Sequence, residues 1–227
     1  MTNEEEIALG TDDNNPNSDS DGIKDNENIH PAGGGENYKF TINWQHNGQA
    51  YTTQFGIAED WYLYYKNYPR TGYYYQDGRF ATPNDITIQT IAKDITDVSI
   101  STGDTCKHCI AIDFVESMIY QYDIEYIKRA DWPKYAIETI VDQRGDCEDT
   151  SFLMAAVLKA LNIDVILLKF PGHLAVGVYC TNCEGVYIEH NGRKYYYLET
   201  TSDPGAWKLG GTSQEYINTL EGIIAIP

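Results

Sequence analysis

The stretch Arg144-Gly145-Asp146-Cys147-Glu148-Asp149 runs directly into the apolar segment Ser151 to Leu161. Asp146 has the chemistry of a helix N-cap, and Asp149 stands at the capping-box position three residues on. Cys147 is therefore predicted in the first turn of a buried helix. Unpaired N–H groups and the positive end of the helix dipole favour thiolate over thiol there. The flanking carboxylates pull the other way, so a base must help to offset them.

The downstream sequence supplies that base. Asp164 to Phe170 reads as a buried strand, Pro171-Gly172 turns the chain, and His173 opens a second β-rich run, Leu174 to Tyr179. After the Asn191-Gly192 turn signal, Tyr195 to Thr201 reads as its hairpin partner and carries Glu199. A helix-borne thiol, an imidazole and a carboxylate on the next strand make a nucleophile, a base and an orienter. Singly, each has a plainer reading: a small buried hydrophobe, a core histidine, a solvated strand end. Their conjunction in this order favours catalysis.

Three ordered motifs carry a family resemblance: Gly145-Asp146-Cys147-Glu148-Asp149, Pro171-Gly172-His173-Leu174-Ala175-Val176-Gly177-Val178, and Tyr196-Tyr197-Leu198-Glu199-Thr200-Thr201. Together they resemble the core of the transglutaminase-like superfamily, closest to its cysteine-protease-like branch in archaea and bacteria. The match covers Ile110 to Gly211, and Tyr38 to Gly103 is similar to the amino-terminal extension of that branch. The resemblance implies an α+β fold with a papain-like core, the nucleophile at a helix N-terminus packed on an antiparallel sheet. It implies Cys147 as nucleophile, His173 as general base and acid, and Glu199 where many members have Asp. The longer Glu keeps the charge and alters the reach of the orienting hydrogen bond.

Such a triad forms a thioester acyl-enzyme. Water resolving it gives amide hydrolysis, as in a cysteine peptidase, and an amine resolving it gives crosslinking. A module that keeps the fold only to bind a polymer or partner protein is the noncatalytic alternative. The backbone N–H of Cys147, with Gln121 or Trp132, is the candidate oxyanion donor set. His30 lies in a linker, His46 and His190 flank Asn-Gly turns, and His108 lies inside a cysteine pair.

A second constellation is Cys106-Lys107-His108-Cys109 with Cys180-Thr181-Asn182-Cys183. Two such pairs can give four thiolates to one structural zinc ion, clamping a helix start to the strand that carries His173. The alternative is disulfide bonding, which suits an exported protein. The twin two-residue spacings favour zinc, and either arrangement leaves Cys147 free.

Asn17 to Asn28 has the ligand rhythm of a calcium loop: Asn17, Asp19, Asp21, the Ile23 carbonyl, Asp25 and Asn28, with Gly22 at the sharp turn. Residues 1–30 resemble a thrombospondin type 3 repeat. Asn28 replaces the usual bidentate Glu, which predicts reduced affinity. Thr2 to Ile7 is similar to the tail of a preceding loop, so the chain reads as a piece of a longer extracellular or cell-surface protein.

Sixteen basic and thirty-four acidic residues give a net charge of −18, which disfavours nucleic acid and anionic membranes as partners. No apolar run approaches the roughly 20 residues that span a bilayer. A protein or peptide-containing polymer is the expected substrate, and a monomer the default state. Pro31 to Glu36 marks a linker (31–37) before the domain at 38–227. Tyr38 to Phe55 reads as a hairpin turning at Asn47-Gly48, while Glu59 to Tyr68, Ile86 to Ile100, Ile110 to Tyr122 and Ser213 to Ile224 read as helices. The tyrosine clusters, including Tyr195 to Tyr197, read as core cover rather than as a polymer-binding groove.

Overall fold

A computed structural model describes residues 37–67, 70, 78–128, 132–201 and 207–227. The calcium segment, with Asn17, Asp19, Asp21, Ile23, Asp25 and Asn28, lies outside them, as does the linker up to residue 36. The chain divides into two units, Met1–Phe40 with Gln54–Pro69 and Thr41–Thr53 with Arg70–Pro227.

Strands β1 (Asn37–His46) and β2 (Gln49–Ala58) form the expected hairpin. Asn47 and Gly48 take φ of 50° and 76°, the positive values that a tight two-residue hairpin turn needs. In the smaller unit, Phe40 stacks on Phe55, and the Tyr38 hydroxyl donates to Glu59 at the start of α1 (Glu59–Asn67). In the larger unit, buried Trp44 stacks on Tyr51 and meets Phe114 edge-on.

The larger unit is organised by α6 (Cys147–Ala160), in which every residue from Cys147 to Leu158 is buried. A helix apolar on all sides must be covered on all sides. Helices α2 (Ile86–Thr102), α3 (Lys107–Glu116) and α5 (Ala136–Asp142) pack on it, as do the strands β5 (Val165–Phe170) and β6 (His173–Tyr179). The stripe Ile88, Ile91, Ala92 and Ile95 gives α2 its buried face. Asp85 caps its start by accepting the Thr87 N–H, and Gly103 ends it at φ 74°.

The five-stranded antiparallel sheet has the order β7-β8-β6-β5-β9, with β7 Tyr187–His190, β8 Arg193–Leu198 and β9 Gly222–Ala225. Helices and a curled antiparallel sheet together make a mixed fold compatible with the α+β class. Register positions the site. Phe170 faces His173 across the Pro171-Gly172 turn, and Val176 faces Leu198, so Glu199 emerges from β8 beside the start of β6.

Three elements differ from the sequence reading. The helix expected over Ile110 to Tyr122 starts earlier and stops at Glu116. The hydroxyl and N–H of Ser117 both turn back to the Phe114 carbonyl, and Ile119–Tyr120 becomes β3, parallel to β4 (Arg144–Gly145). A short α4 (Asp123–Tyr126) follows β3. The terminal helix shrinks to α7 (Gln214–Ile217), because β-branched Ile223 and Ile224 are used in β9, which pairs with β5. Finally, the Asn191-Gly192 turn joins β8 to the unanticipated β7, while β8 still pairs with β6.

Candidate active site

Side chains one turn into α6 fasten it to the two strands. The Thr150 hydroxyl lies 3.0 Å from the Thr200 carbonyl and 3.1 Å from the Thr200 hydroxyl. That of Ser151 donates to the Leu174 carbonyl at 3.0 Å and lies 2.9 Å from the Thr200 hydroxyl. Leu174 follows His173 and Thr200 follows Glu199, so these bonds fix both residues relative to the helix start. The Cys147 thiol is buried, and the backbone of Leu174 favours its thiolate. Among the described residues it is the free cysteine.

His173 Nε2 lies 3.2 Å from Glu199 Oε1, an ion-pair distance without the alignment of a linear hydrogen bond. The Glu199 carboxylate is held from several sides. It accepts the Tyr197 hydroxyl at 2.6 Å, the Thr201 hydroxyl at 2.7 Å, and the N–H groups of Thr200 and Thr201. Burial opposes its ionisation, but the adjacent His173 imidazole, with the two hydroxyls, holds it down to about 2. The longer acid thus spans to the imidazole as an ionised, fixed group. A cleft of about 480 Å³ opens over His173, Tyr197, Glu199, Lys208 and Tyr216.

Around the thiol the electrostatics run the opposite way. Burial pushes the Cys147 thiol up, and the charge of Glu148, whose Oε2 accepts from Sγ at 3.1 Å, adds to it. Glu148 is itself pushed up to about 10 by burial, then by Asp146 and Asp149. Burial raises Asp149 to about 6 against the pull of Lys134. A Glu148 that keeps its proton is a hydrogen-bond donor rather than a charge, which removes one obstacle to the thiolate.

The two capping aspartates do other work than the sequence suggested. Asp146 occupies the N-cap position but makes no side-chain cap; its Oδ2 accepts the Asp123 N–H at 3.4 Å. Asp149 accepts the Lys134 N–H at 2.8 Å and pairs with its Nζ at 2.9 Å. Both carboxylates are recruited by the chain segment before α5. Gly145 makes room for this, since a Cβ there would stand 2.4 Å from Asp149 Cβ. The Trp132 backbone N–H is committed to Asp123, and Gln121 Oε1 accepts from Arg144 at 2.9 Å.

The cysteine pairs are not gathered around one point. Cys106 is joined to Cys109 and Cys180 to Cys183 as two disulfides, with Cα separations of 5.2 and 5.6 Å. The four-thiolate zinc site anticipated from sequence is therefore not assembled. The first pair opens α3, whereas the second follows β6. Two donor groups among the described residues are compact enough to hold a metal ion: Cys106 with His108 and Cys109, and the buried trio Asp123, Asp146 and Glu148. His46 instead bridges Asp113 at 2.6 Å and Asp104 at 3.0 Å.

Sequence reasoning missed Glu148 as the thiol's partner, the Leu174 backbone, and the tyrosines near the site. Tyr197 was within reach of it, being two residues before Glu199 on one strand face. Burial raises Tyr216, then the charges of Glu199 and Cys147, while Tyr120 is raised by burial and then by Cys147. No family model matches this chain, and no curated protein matches it.

Proposed function

We propose that the chain is a thiol-dependent amide hydrolase on a papain-like core, of the cysteine-protease-like branch of the transglutaminase-like superfamily. Cys147 is the nucleophile, His173 the general base and acid, and Glu199 the orienting carboxylate. The observation that carries this reading is the fastening of α6 to the residues that follow His173 and Glu199, with His173 Nε2 beside the ionised Glu199. That pairing leaves Nδ1 to exchange a proton with the thiol.

The thiolate attacks the acyl carbon, the C–N bond breaks, and the imidazolium protonates the departing amine. A water that gives its proton to His173 then attacks the thioester, releasing the acid and restoring the thiol. An amine in place of that water would make the same site a crosslinking acyltransferase.

Two disulfides support an exported or cell-surface setting, where a protein or peptide-containing polymer is the substrate. The loop rhythm of Asn17 to Asn28 supports a calcium-binding segment ahead of the domain.

A binding-module reading has one observation in its favour, the upward shift of the Cys147 thiol. The pH profile of Cys147 alkylation, compared with that of His173→Ala, separates the two. Rapid labelling well below the free-thiol pKa of about 8.5, lost in the variant, is expected. Slow labelling that is indifferent to His173 would overturn the catalytic reading.

A further inference from the structure

Large apolar side chains exposed among the described residues concentrate in one stretch: Ile119, Tyr120, Tyr122, Ile124 and Tyr126. The backbone of this stretch alternates. The N–H of Ile119 donates to the Gln143 carbonyl, that of Gln121 to the Gly145 carbonyl, and that of Asp123 to Asp146 Oδ2. The odd-numbered amides therefore face the strand that leads into Cys147. In an extended chain the even-numbered positions face the other way. Among the described residues β3 pairs with β4 alone, so its outer edge is a strand edge without a partner, lined by Tyr120 and Tyr122.

Strand β3 itself adjoins the residues that lead into the nucleophile. Tyr120 is aligned with Gly145, two residues before Cys147. The rings of Tyr120 and Tyr122 meet edge-on at 5.4 Å. An exposed strand edge with apolar side chains is a template for another strand.

We propose that the outer edge of β3 binds the acyl-side segment of the substrate as an added strand, and that this segment is an extended, apolar, non-acidic stretch of polypeptide. The inference rests on the catalytic reading above, because attack by Cys147 requires the chain on the acyl side of the scissile bond to run close to β3 and β4. Backbone pairing supplies the hold, and Ile119, Tyr122 and Ile124 supply apolar contact. Glu125, exposed on α4, with the carboxyl groups of Asp123 and Asp146 nearby, selects against an acidic segment.

The test uses the whole chain and three blocked pentapeptides: one of Val and Ile, one with Asp at alternate positions, and one of Val and Ile with N-methylated amides that cannot pair. Each competes with iodoacetamide for Cys147, in wild type and in the Tyr122→Ser and Ile124→Ser variants. The first peptide is expected to protect Cys147 at concentrations about tenfold lower than the other two, an advantage reduced in both variants.

Equal protection by all three peptides would overturn the proposal. So would sedimentation showing that two copies of the chain cover this edge and that the peptide does not separate them. His173-dependent labelling without peptide protection would remove the edge and leave the catalytic reading intact. Protection without His173-dependent labelling would do the reverse.

Discussion

Replacing Glu148 by Gln should stabilise the protein at neutral and alkaline pH while leaving the reactivity of Cys147 near neutral pH unchanged. In the folded chain Glu148 is pushed from its ordinary 4.5 to about 10, by burial first and then by Asp146 and Asp149. Between those two pH values the folded state keeps a proton that the unfolded chain has released. Stability is therefore full below about 4.5 and falls as pH rises toward 10. Each pH unit in that window removes at most about 1.4 kcal/mol. From pH 5 to 8 the ceiling is about 4 kcal/mol, and sharing of the proton with Asp146, together with relaxation of the site, reduces the expectation to about 1–2 kcal/mol.

Gln keeps the shape and hydrogen bonding of the protonated acid and cannot ionise. Urea unfolding from pH 5 to 8, in chelator so that no cation occupies Asp123, Asp146 and Glu148, should show the two proteins diverging as pH rises. The variant should become the more stable one. Because Glu148 already keeps its proton across this range, the neutral Gln should leave the rate of Cys147 alkylation between pH 5 and 8 near that of the wild type. A stability difference that is flat across this range, or a uniformly weaker variant, would mean that Glu148 is ionised in the native protein. The account of the thiol's surroundings would then be wrong.

Gly145→Ala should destabilise the fold by about 1–3 kcal/mol, the usual cost of forcing atoms into a packed core, because its Cβ would meet the buried Asp149. An unchanged urea midpoint would show that Asp149 has room to move. Peptide mapping of the unreduced protein should recover Cys106 linked to Cys109, Cys180 linked to Cys183, and Cys147 free. Free thiols at those four positions with one bound zinc per chain would restore the shared metal site.

What the sequence made legible was local or periodic. The helix start before Cys147, the turn at Pro171-Gly172 and the alternating strands around it are short-range signals, and they brought the positions of Cys147, His173 and Glu199 within reach of inspection. Where the reading failed, a distant partner decided. Ile223 and Ile224 fit a helical pattern until β5 offers them an edge, and Tyr120 fits a helix until β4 pairs with it. The cysteine pairs have metal-like spacing, but spacing cannot report that each pair closes on itself. The protonation state of the thiol is the furthest from local inspection. It depends on Asp123 and Lys134 from one connection, Asp142 from the end of α5, and Asp146, Glu148 and Asp149 from the start of α6. The helix dipole offers Cys147 at most a partial positive charge, whereas these carboxylates outnumber the buried lysine among them. The helix start therefore tells where Cys147 sits, and the balance of carboxylates and protons around Glu148 decides whether it is a thiolate.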